Sequence, residues 1–135
     1  RAAIVGMSGH TSRAHVARAA VESIAFQIAD VLEMLAKQGG QTLKRVHVDG
    51  GATRNTLLMQ MIADLAGVEL AVSDVAELSP YGGALAGAVG MGHVGSIEGL
   101  AVFPSGSRSV KPAGDASHAK EQRAQWTRAV KRTLG

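Results

Sequence analysis

The first third of the chain carries apolar side chains at the spacing of a helix. They recur every three or four positions between a polar segment, "SGHTS", and the glycine pair Gly39 and Gly40. Thr11 or Ser12 offers a hydroxyl to the first free amides, and glycine commonly follows a helix end. The pattern therefore predicts a long amphipathic helix between these residues. Its apolar positions are Val16, Ala20, Ile24, Ile28, Val31, Leu32 and Leu35.

The neighbouring segments alternate between strand and helix patterns. "LKRVHVDG" alternates loosely between apolar and polar positions, as in a strand buried mainly on one face, and "VELAVSDV" also reads as a strand. Before the long helix, "AAIVGM" predicts a strand end or an edge strand. A second helical pattern ends at Gly67 and consists of Leu57, Leu58, Met61, Ile62 and Leu65. The alternation predicts an α/β fold with a parallel or mixed sheet flanked by helices.

A third helix is predicted at Ser79 and Pro80, where a capping hydroxyl precedes a proline suited to the first helical position. The run that follows, "YGGALAGAVGMG", places Gly83 and Gly87 four residues apart on one face. A face without side chains lets another backbone or a ligand come close. We therefore expect tight packing of this helix on the sheet, with ligand contact at the helix start.

The C-terminal segment is predicted to be a linker followed by a last helix. "FPSGSRSVKPAGD" is rich in proline, glycine and serine, which is typical of a linker. Asp115 is a suitable cap, and Trp126, Val130 and Leu134 then follow at intervals of four. The pattern predicts an amphipathic helix that is exposed on one side.

Composition narrows the class of protein. With 135 residues, of which 46% are hydrophobic, the chain can bury the core of one modest domain. It has no cysteine, so disulfide bonds and thiolate chemistry are excluded, and we expect a cytoplasmic protein. No apolar run is long enough to span a bilayer. Because Arg1 is not a translation start, we expect the chain to be part of a longer protein.

The net charge of +3 is concentrated near the C-terminus. From Ser107 onward there are seven lysines and arginines against two acidic residues. A surface that binds nucleic acid usually adds aromatic side chains for stacking, whereas aromatic residues are 3% of this chain. We therefore expect a solvated basic helix and no binding of nucleic acid.

The stretch "HVDGGATRN" is the strongest candidate for a binding site. It fits neither G-x-G-x-x-G nor G-x-x-x-x-G-K-[ST], yet it lies between a predicted strand and a helix, where ligands of α/β proteins bind. Gly50 and Gly51 can take positive φ and admit a ligand against bare backbone, and Asn55 adds an amide that can donate and accept. Two interpretations stay open: a nucleotide contact, or a strand-to-helix turn capped by Asp49.

Other constellations do not support a catalytic or metal site. "GMSGH" breaks the G-x-S-x-G pattern of a nucleophile elbow, and "SHAK" lacks the companion motifs of an S-x-x-K enzyme. The five histidines lack H-E-x-x-H spacing or a nearby set of carboxylates. We predict no catalytic residue and no metal ligand in this chain.

Three separated segments and the closing helix resemble the FGGY carbohydrate kinases, a family of the actin-like, ribonuclease-H-like ATPase superfamily. "VDGGATRN" with "LLMQMIADLAG" looks like the adenosine-binding turn and helix of the family, and "ELSPYGGALAG" looks like its following helix start. The closing "QWTRAVKRTLG" is similar to the C-terminal helix of the glycerol-phosphorylating members. The N-terminal segment of the chain fits the second family signature at Ala2, Ile4, Gly6, Met7, His15, Val16, Ala19, Ala20, Val21 and Glu22.

The resemblance implies a partial ribonuclease-H-like domain that binds ATP. Residues 1–135 would form the C-terminal part of the nucleotide-binding lobe, without the substrate lobe and the first strands. By the same resemblance, Gly51 and Asn55 contact the adenosine phosphate of ATP, and Gly50 allows the close approach. Asp49 would brace the turn, Arg54 is given no role, and Mg²⁺ would be carried by the nucleotide.

The implied activity is transfer of the γ-phosphoryl group of ATP to a hydroxyl of glycerol or of a related polyol or ketose. "SPYGG" departs from the order usual in the glycerol-phosphorylating members, so a xylulose or other pentulose kinase is an alternative. A non-catalytic actin-like or chaperone-like ATP-binding module and a dinucleotide-binding domain are further alternatives. Since the phosphate loops and general base of the family lie upstream, we expect the chain alone to be inactive. The unpaired strand "AAIVGM" and the uncovered apolar face of the first helix should also favour a homo-oligomer.

Overall fold

The computed structural model of the chain describes residues 2–75, 78–96 and 106–134. The alternation of strands and helices confirms the predicted α/β fold. In chain order, the elements are α1 (Arg13–Gly39), β1 (Arg45–Val48), a 3₁₀ helix (Gly51–Arg54), α2 (Thr56–Ala66), β2 (Glu69–Ser73), α3 (Leu78–Gly90), β3 (Ser107–Val110) and α4 (Ala116–Leu134).

The ends of α1 and α2 follow directly from their capping residues. The Ser12 hydroxyl accepts a hydrogen bond from the amide of His15, and the His15 ring accepts one from the amide of Ser12. At the other end of α1, Gly40 takes a left-handed φ of 61°, and Gly67 ends α2 with a φ of 65°. Glycine adopts this conformation without a Cβ clash, so the predicted ends are confirmed.

The sheet orders its strands β1-β2-β3. β1 and β2 are parallel, with Val48 opposite Val72, whereas β2 and β3 are antiparallel, with Val72 opposite Arg108. The three middle residues of β2 are buried, as expected for a central strand. The carboxyl ends of β1 and β2 therefore lie side by side at one edge of this mixed sheet.

The prediction that the segment before α4 is only a linker is wrong. Residues 107–110 form β3, which pairs with β2. Val110 is the only buried residue of this short edge strand, so its apolar pattern is weak and its pairing with β2 supplies the order. Phe103, Pro104 and Ser105, at the start of the predicted linker, lie outside the described residues.

The core lies between α1, α2 and the sheet. α1 contributes its two small buried residues, Ala25 and Ala29, which allow α2 to approach closely. The larger apolar side chains of α1 remain partly solvent-exposed, for example Val31 and Leu35 at 50% each. The buried cluster consists of Ala25, Ala29, Leu58, Met59, Ile62, Ala63, Leu65, Val68, Leu70, Val72 and Val110.

α4 contacts α1 through long side chains. The Trp126 ring stacks on Phe26 with a centroid distance of 5.1 Å, and its indole N–H donates to Asp30 at 2.8 Å. Arg123 forms ion pairs with Asp30 and Glu33. Hydrogen bonding from Lys37 and the nearby Arg123 charge lower the pKa of Glu33 below its usual value. The basic last helix is thus anchored by acidic residues of α1.

Asp64 of α2 holds the connection between β3 and α4. Its Oδ1 accepts hydrogen bonds from the amides of Ala113 at 2.8 Å and Gly114 at 3.1 Å, and from Gln60 at 3.0 Å. Burial acts to raise the pKa of Asp64, but these hydrogen bonds outweigh it and hold the pKa below the ordinary value. Asp115 then precedes α4 and caps it as predicted, because its Oδ1 accepts a hydrogen bond from the amide of Ser117 at 2.9 Å.

The strand predicted before α1 and the predicted start of α3 both need correction. Residues 2–7 form no regular secondary structure, because no strand in the described part of the chain pairs with them. α3 begins at Leu78, which puts Ser79 and Pro80 inside its first turn, where a missing amide is tolerated.

The predicted tight packing of α3 on the sheet is also wrong for the described residues. No residue of α3 is buried, and a Cβ placed on Gly83 or Gly87 would meet no atom within 4 Å. No described residue therefore covers the glycine-lined face of this helix.

Candidate functional site

The glycine turn after β1 is closed by hydrogen bonds to the carbonyl of Gly50. The amide of Thr53 donates to this carbonyl at 3.1 Å, and the Thr53 hydroxyl donates to it at 2.7 Å. Gly50 has φ 94° and ψ 170°, a region that is essentially restricted to glycine. Gly51 is not among the residues with positive φ, so that expectation is confirmed for Gly50 and wrong for Gly51.

Asn55 is the N-cap of α2. Its side-chain Oδ1 accepts a hydrogen bond from the backbone amide of Leu58 at 3.1 Å, and its backbone amide donates to the carbonyl of Ala52 at 3.1 Å. The alternative in which Asp49 caps the helix is therefore wrong. The Asn55 side-chain nitrogen has no partner among the described residues, which leaves one amide donor at the start of the helix.

A cavity of about 260 Å³ lies between the glycine turn and the end of β2. Gly50 lines it, whereas Gly51 and Asn55 are exposed residues that lie outside its lining. The cavity is polar and carries two arginines. Its lining residues are Gly50, Thr53, Arg54, Val72, Ser73, Asp74 and Arg108.

Arg108 connects β3 to the glycine turn and is a residue that no sequence motif indicated. Its guanidinium donates a hydrogen bond to the carbonyl of Thr53 at 3.3 Å. Its position follows from the register, since Arg108 lies opposite Val72 near the carboxyl end of β2. Detecting Arg108 required recognising β3, and "SRSV" carries too few apolar residues to indicate a strand.

The backbone of the turn fits a phosphate-bearing ligand. A Cβ on Gly50 or Gly51 would meet no atom of the described residues within 4 Å, so these residues leave the space beside the turn open. The free amides at the start of α2 and the positive end of its dipole favour an anion there. The turn therefore combines bare backbone, an asparagine amide and a helix N-terminus at the carboxyl ends of two parallel strands.

The remaining sequence candidates lie away from this turn or lack a chemical partner. Glu22 forms an ion pair with Arg18 one helical turn earlier, at 2.7 Å. No group of three metal-ligating residues occurs within the ranges that the structure describes. In those ranges, no helix is long and apolar enough to cross a membrane.

Comparison with known proteins defines the class. Residues 1–91 match the C-terminal domain of the FGGY family of carbohydrate kinases. The chain belongs to this family. Similarity to the family was predicted from the same N-terminal and glycine-turn segments, and that prediction is confirmed.

Relatives with high similarity to the chain are glycerol kinases. The chain is 42% identical over 134 residues to the glycerol kinase of Dechloromonas aromatica, covering 99% of this chain and 27% of the relative. It is 39% identical over 136 residues to that of Methylibium petroleiphilum, covering 98% of this chain and again 27% of the relative. The chain thus spans about a quarter of the length of these relatives.

Solved structures give the same fold. The chain matches the ADP-containing glycerol kinase of Plasmodium falciparum with a TM-score of 0.81 at 30% identity, covering 100% of this chain and 27% of that one. A xylulose-type kinase from Brucella ovis matches with a TM-score of 0.72 at 22% identity, covering 96% of this chain and 27% of that one. These matches confirm the ribonuclease-H-like, actin-like fold of the family.

Proposed function

We propose that this chain is the C-terminal, ATP-binding part of a kinase that phosphorylates a hydroxyl group of glycerol. The observation that carries the proposal is the 42% identity to a glycerol kinase across 99% of the chain. A structural neighbour is a glycerol kinase with ADP, which supports a nucleotide as the ligand. The more distant xylulose and gluconate kinases share the fold only and favour no other acceptor.

The proposed role of the glycine turn is to hold the phosphate and ribose side of ATP. Gly50 and Gly51 leave the backbone bare, so the nucleotide can approach without a Cβ in its path. The Asn55 side-chain nitrogen donates a hydrogen bond to a phosphate oxygen, while its oxygen keeps the amide of Leu58. Mg²⁺ would arrive on the nucleotide phosphates, because the described residues offer no ligand cluster.

Catalysis would require the rest of the protein. Phosphoryl transfer needs a positioned acceptor hydroxyl, a base and metal-bound phosphates together. This chain supplies a nucleotide contact and no candidate base. The proposal therefore assigns it to binding and orienting ATP, with the acceptor held by another part of a larger cytoplasmic enzyme.

The proposal is tested by assaying the full-length protein for ATP-dependent phosphorylation of a panel of polyols and ketoses with Mg²⁺. We expect glycerol to give the highest kcat/KM and the 135-residue chain alone to give no product. ADP formation that does not depend on any acceptor would contradict the kinase assignment. A preference for a pentulose would keep the class and change the substrate.

A further inference from the structure

We propose that Arg108 is a positioning residue that holds the glycine turn in the geometry that binds the nucleotide. The inference rests on the proposed function, in which the residues after Gly50 contact ATP. It assigns a role to β3, a strand that lies outside the segment matched to the family domain, residues 1–91.

The hydrogen bond of Arg108 acts at the end of the 3₁₀ helix. Within this helix, the carbonyl of Gly50 accepts from Thr53, and the carbonyl of Ala52 accepts from Asn55. The next carbonyl, that of Thr53, accepts from the Arg108 guanidinium at 3.3 Å. Arg108 thus binds the backbone two residues before Asn55, where the 3₁₀ helix gives way to α2.

The sheet makes this contact possible. Val48, the last residue of β1, lies opposite Val72 of β2, and Val72 lies opposite Arg108 of β3. Arg108 therefore reaches across β2 toward the turn that leaves β1. A guanidinium is suited to this role because its N–H donors are fixed in a plane.

Charge alone does not explain the arrangement. Arg54 lines the same cavity and carries the same charge, but it forms no hydrogen bond to the turn among the described residues. Both arginines add positive charge beside the turn, whereas of the two only Arg108 also connects the turn to the sheet. The pair therefore separates an electrostatic effect from a positioning effect.

The test compares Arg108→Ala, Arg108→Lys and Arg54→Ala in the full-length protein. Loss of one hydrogen bond that orders a turn should weaken ADP binding and raise the KM for ATP roughly three- to ten-fold. We expect kcat and the acceptor KM to stay within about two-fold, because the contact is on the nucleotide side. Arg108→Lys keeps a hydrogen-bond donor, so it should recover most of the lost nucleotide affinity. Arg54→Ala should weaken nucleotide binding less than Arg108→Ala does.

A second readout does not depend on the nucleotide. Hydrogen exchange of the amides of residues 51–58 should be faster in Arg108→Ala than in the wild type without ligand, and slower again in Arg108→Lys. The positioning role would be overturned if Arg54→Ala and Arg108→Ala lost equal ADP affinity. It would also be overturned if hydrogen exchange in the turn were unchanged in Arg108→Ala.

The design also separates this inference from the proposed function. If Asn55→Ala weakens ADP binding and Arg108→Ala does not, the nucleotide site stands and the role of Arg108 is wrong. If the wild-type protein binds neither ATP nor ADP, the proposed function fails, and this inference fails with it. A folding defect in Arg108→Ala would be seen in its thermal unfolding, and Arg108→Lys would then decide the outcome.

Discussion

At the scale of single residues, the two glycines of the turn have different tasks. Gly50 has a φ of 94°, which strains any other residue by about 1–3 kcal/mol, whereas Gly51 needs no positive φ. We predict that Gly50→Val lowers both the free energy of unfolding and ADP affinity. Gly51→Val should lower ADP affinity with a much smaller loss of stability, because its side chain occupies open space beside the turn.

Thermal unfolding and ADP titration of the full-length protein check this pair. Gly95→Val serves as the control, because Gly95 has no positive φ and an added Cβ would meet no described atom within 4 Å. If Gly51→Val binds ADP like the wild type, the nucleotide does not approach the turn at this residue.

Asn55 is predicted to combine a structural role with a binding role, and two substitutions separate them. Asn55→Ala removes the cap of α2 and should cost about 1 kcal/mol of stability. Asn55→Asp keeps the capping oxygen and adds a negative charge that suits a helix N-terminus, so stability should be retained. Both should weaken ADP binding, because the side-chain amide donor is lost and aspartate also repels phosphate.

Unfolding in denaturant measures the first effect and calorimetric titration with ADP the second. If Asn55→Asp keeps full ADP affinity, Asn55 is a cap only. A rise in the acceptor KM at unchanged ADP affinity would mean that the turn faces the acceptor.

Residue patterns predicted the glycine turn, but they did not predict the contacts of Asn55 and Arg108 that hold it. Gly50, Gly51 and Asn55 are close in sequence, so their spacing identifies a strand-to-helix connection directly. The role of Asn55 as cap was missed because Asp49 also suits a cap, and only the extra 3₁₀ helix moves the start of α2 to Thr56. The contact from Arg108 spans 55 residues and depends on sheet register, which local patterns do not encode.

At the scale of elements, prediction succeeded where capping residues and apolar periodicity agree. α1, α2, β1 and β2 are bounded by such signals, and their order fixed the α/β class. β3 was not predicted, because an edge strand with one buried residue has no distinctive pattern. The packing predicted for the glycine face of α3 was wrong, because glycines four residues apart permit close packing without specifying a partner.

Asp64 makes the attachment of the β3–α4 connection to α2 depend on pH. Its pKa is lowered in the folded protein, so it stabilises the fold above its unfolded pKa of about 3.9, and this contribution is lost as the pH falls through the folded value. We predict that Asp64→Asn lowers the free energy of unfolding by roughly 1 kcal/mol at neutral pH. The difference from the wild type should shrink below about pH 4.

Denaturant unfolding of the full-length protein at a series of pH values measures this difference. Glu121→Gln removes one exposed carboxylate from α4 and serves as the control for a change in net charge. A wild-type advantage over Asp64→Asn that is the same at pH 3 and pH 7, to within about 0.3 kcal/mol, would mean that the carboxylate charge does not contribute.

At the scale of the whole molecule, the chain covers a quarter of the length of its glycerol kinase relatives, and several of its exposed apolar side chains lie on α1. The core is built mainly from α2 and β2, while α1 buries two alanines and leaves several of its larger apolar side chains exposed. A long helix that is apolar on more than one face is typical of an element that packs on two sides. The described residues are thus packed most closely around α2 and β2, and α1 keeps apolar side chains on the surface.

The exposed apolar surface leads to the last prediction, which concerns the 135-residue chain by itself. Val31 and Leu35 lie one turn apart on α1 and are each 50% exposed, and Ile4 near the N-terminus is 64% exposed. Contiguous apolar surface favours association, so we expect dimers or larger species at high concentration. Val31→Lys with Leu35→Lys should shift the chain toward monomer, because two lysines would have to be desolvated in the contact.

Light scattering across a concentration series measures the change. Ala17→Lys with Ala20→Lys adds the same charge to exposed positions of the same helix without removing a large apolar side chain, so it controls for simple charge repulsion. We expect this control to associate like the unsubstituted chain. A monodisperse monomer without substitutions at high concentration would show that the exposed face of α1 does not drive association, and equal effects of the two lysine pairs would assign the change to net charge.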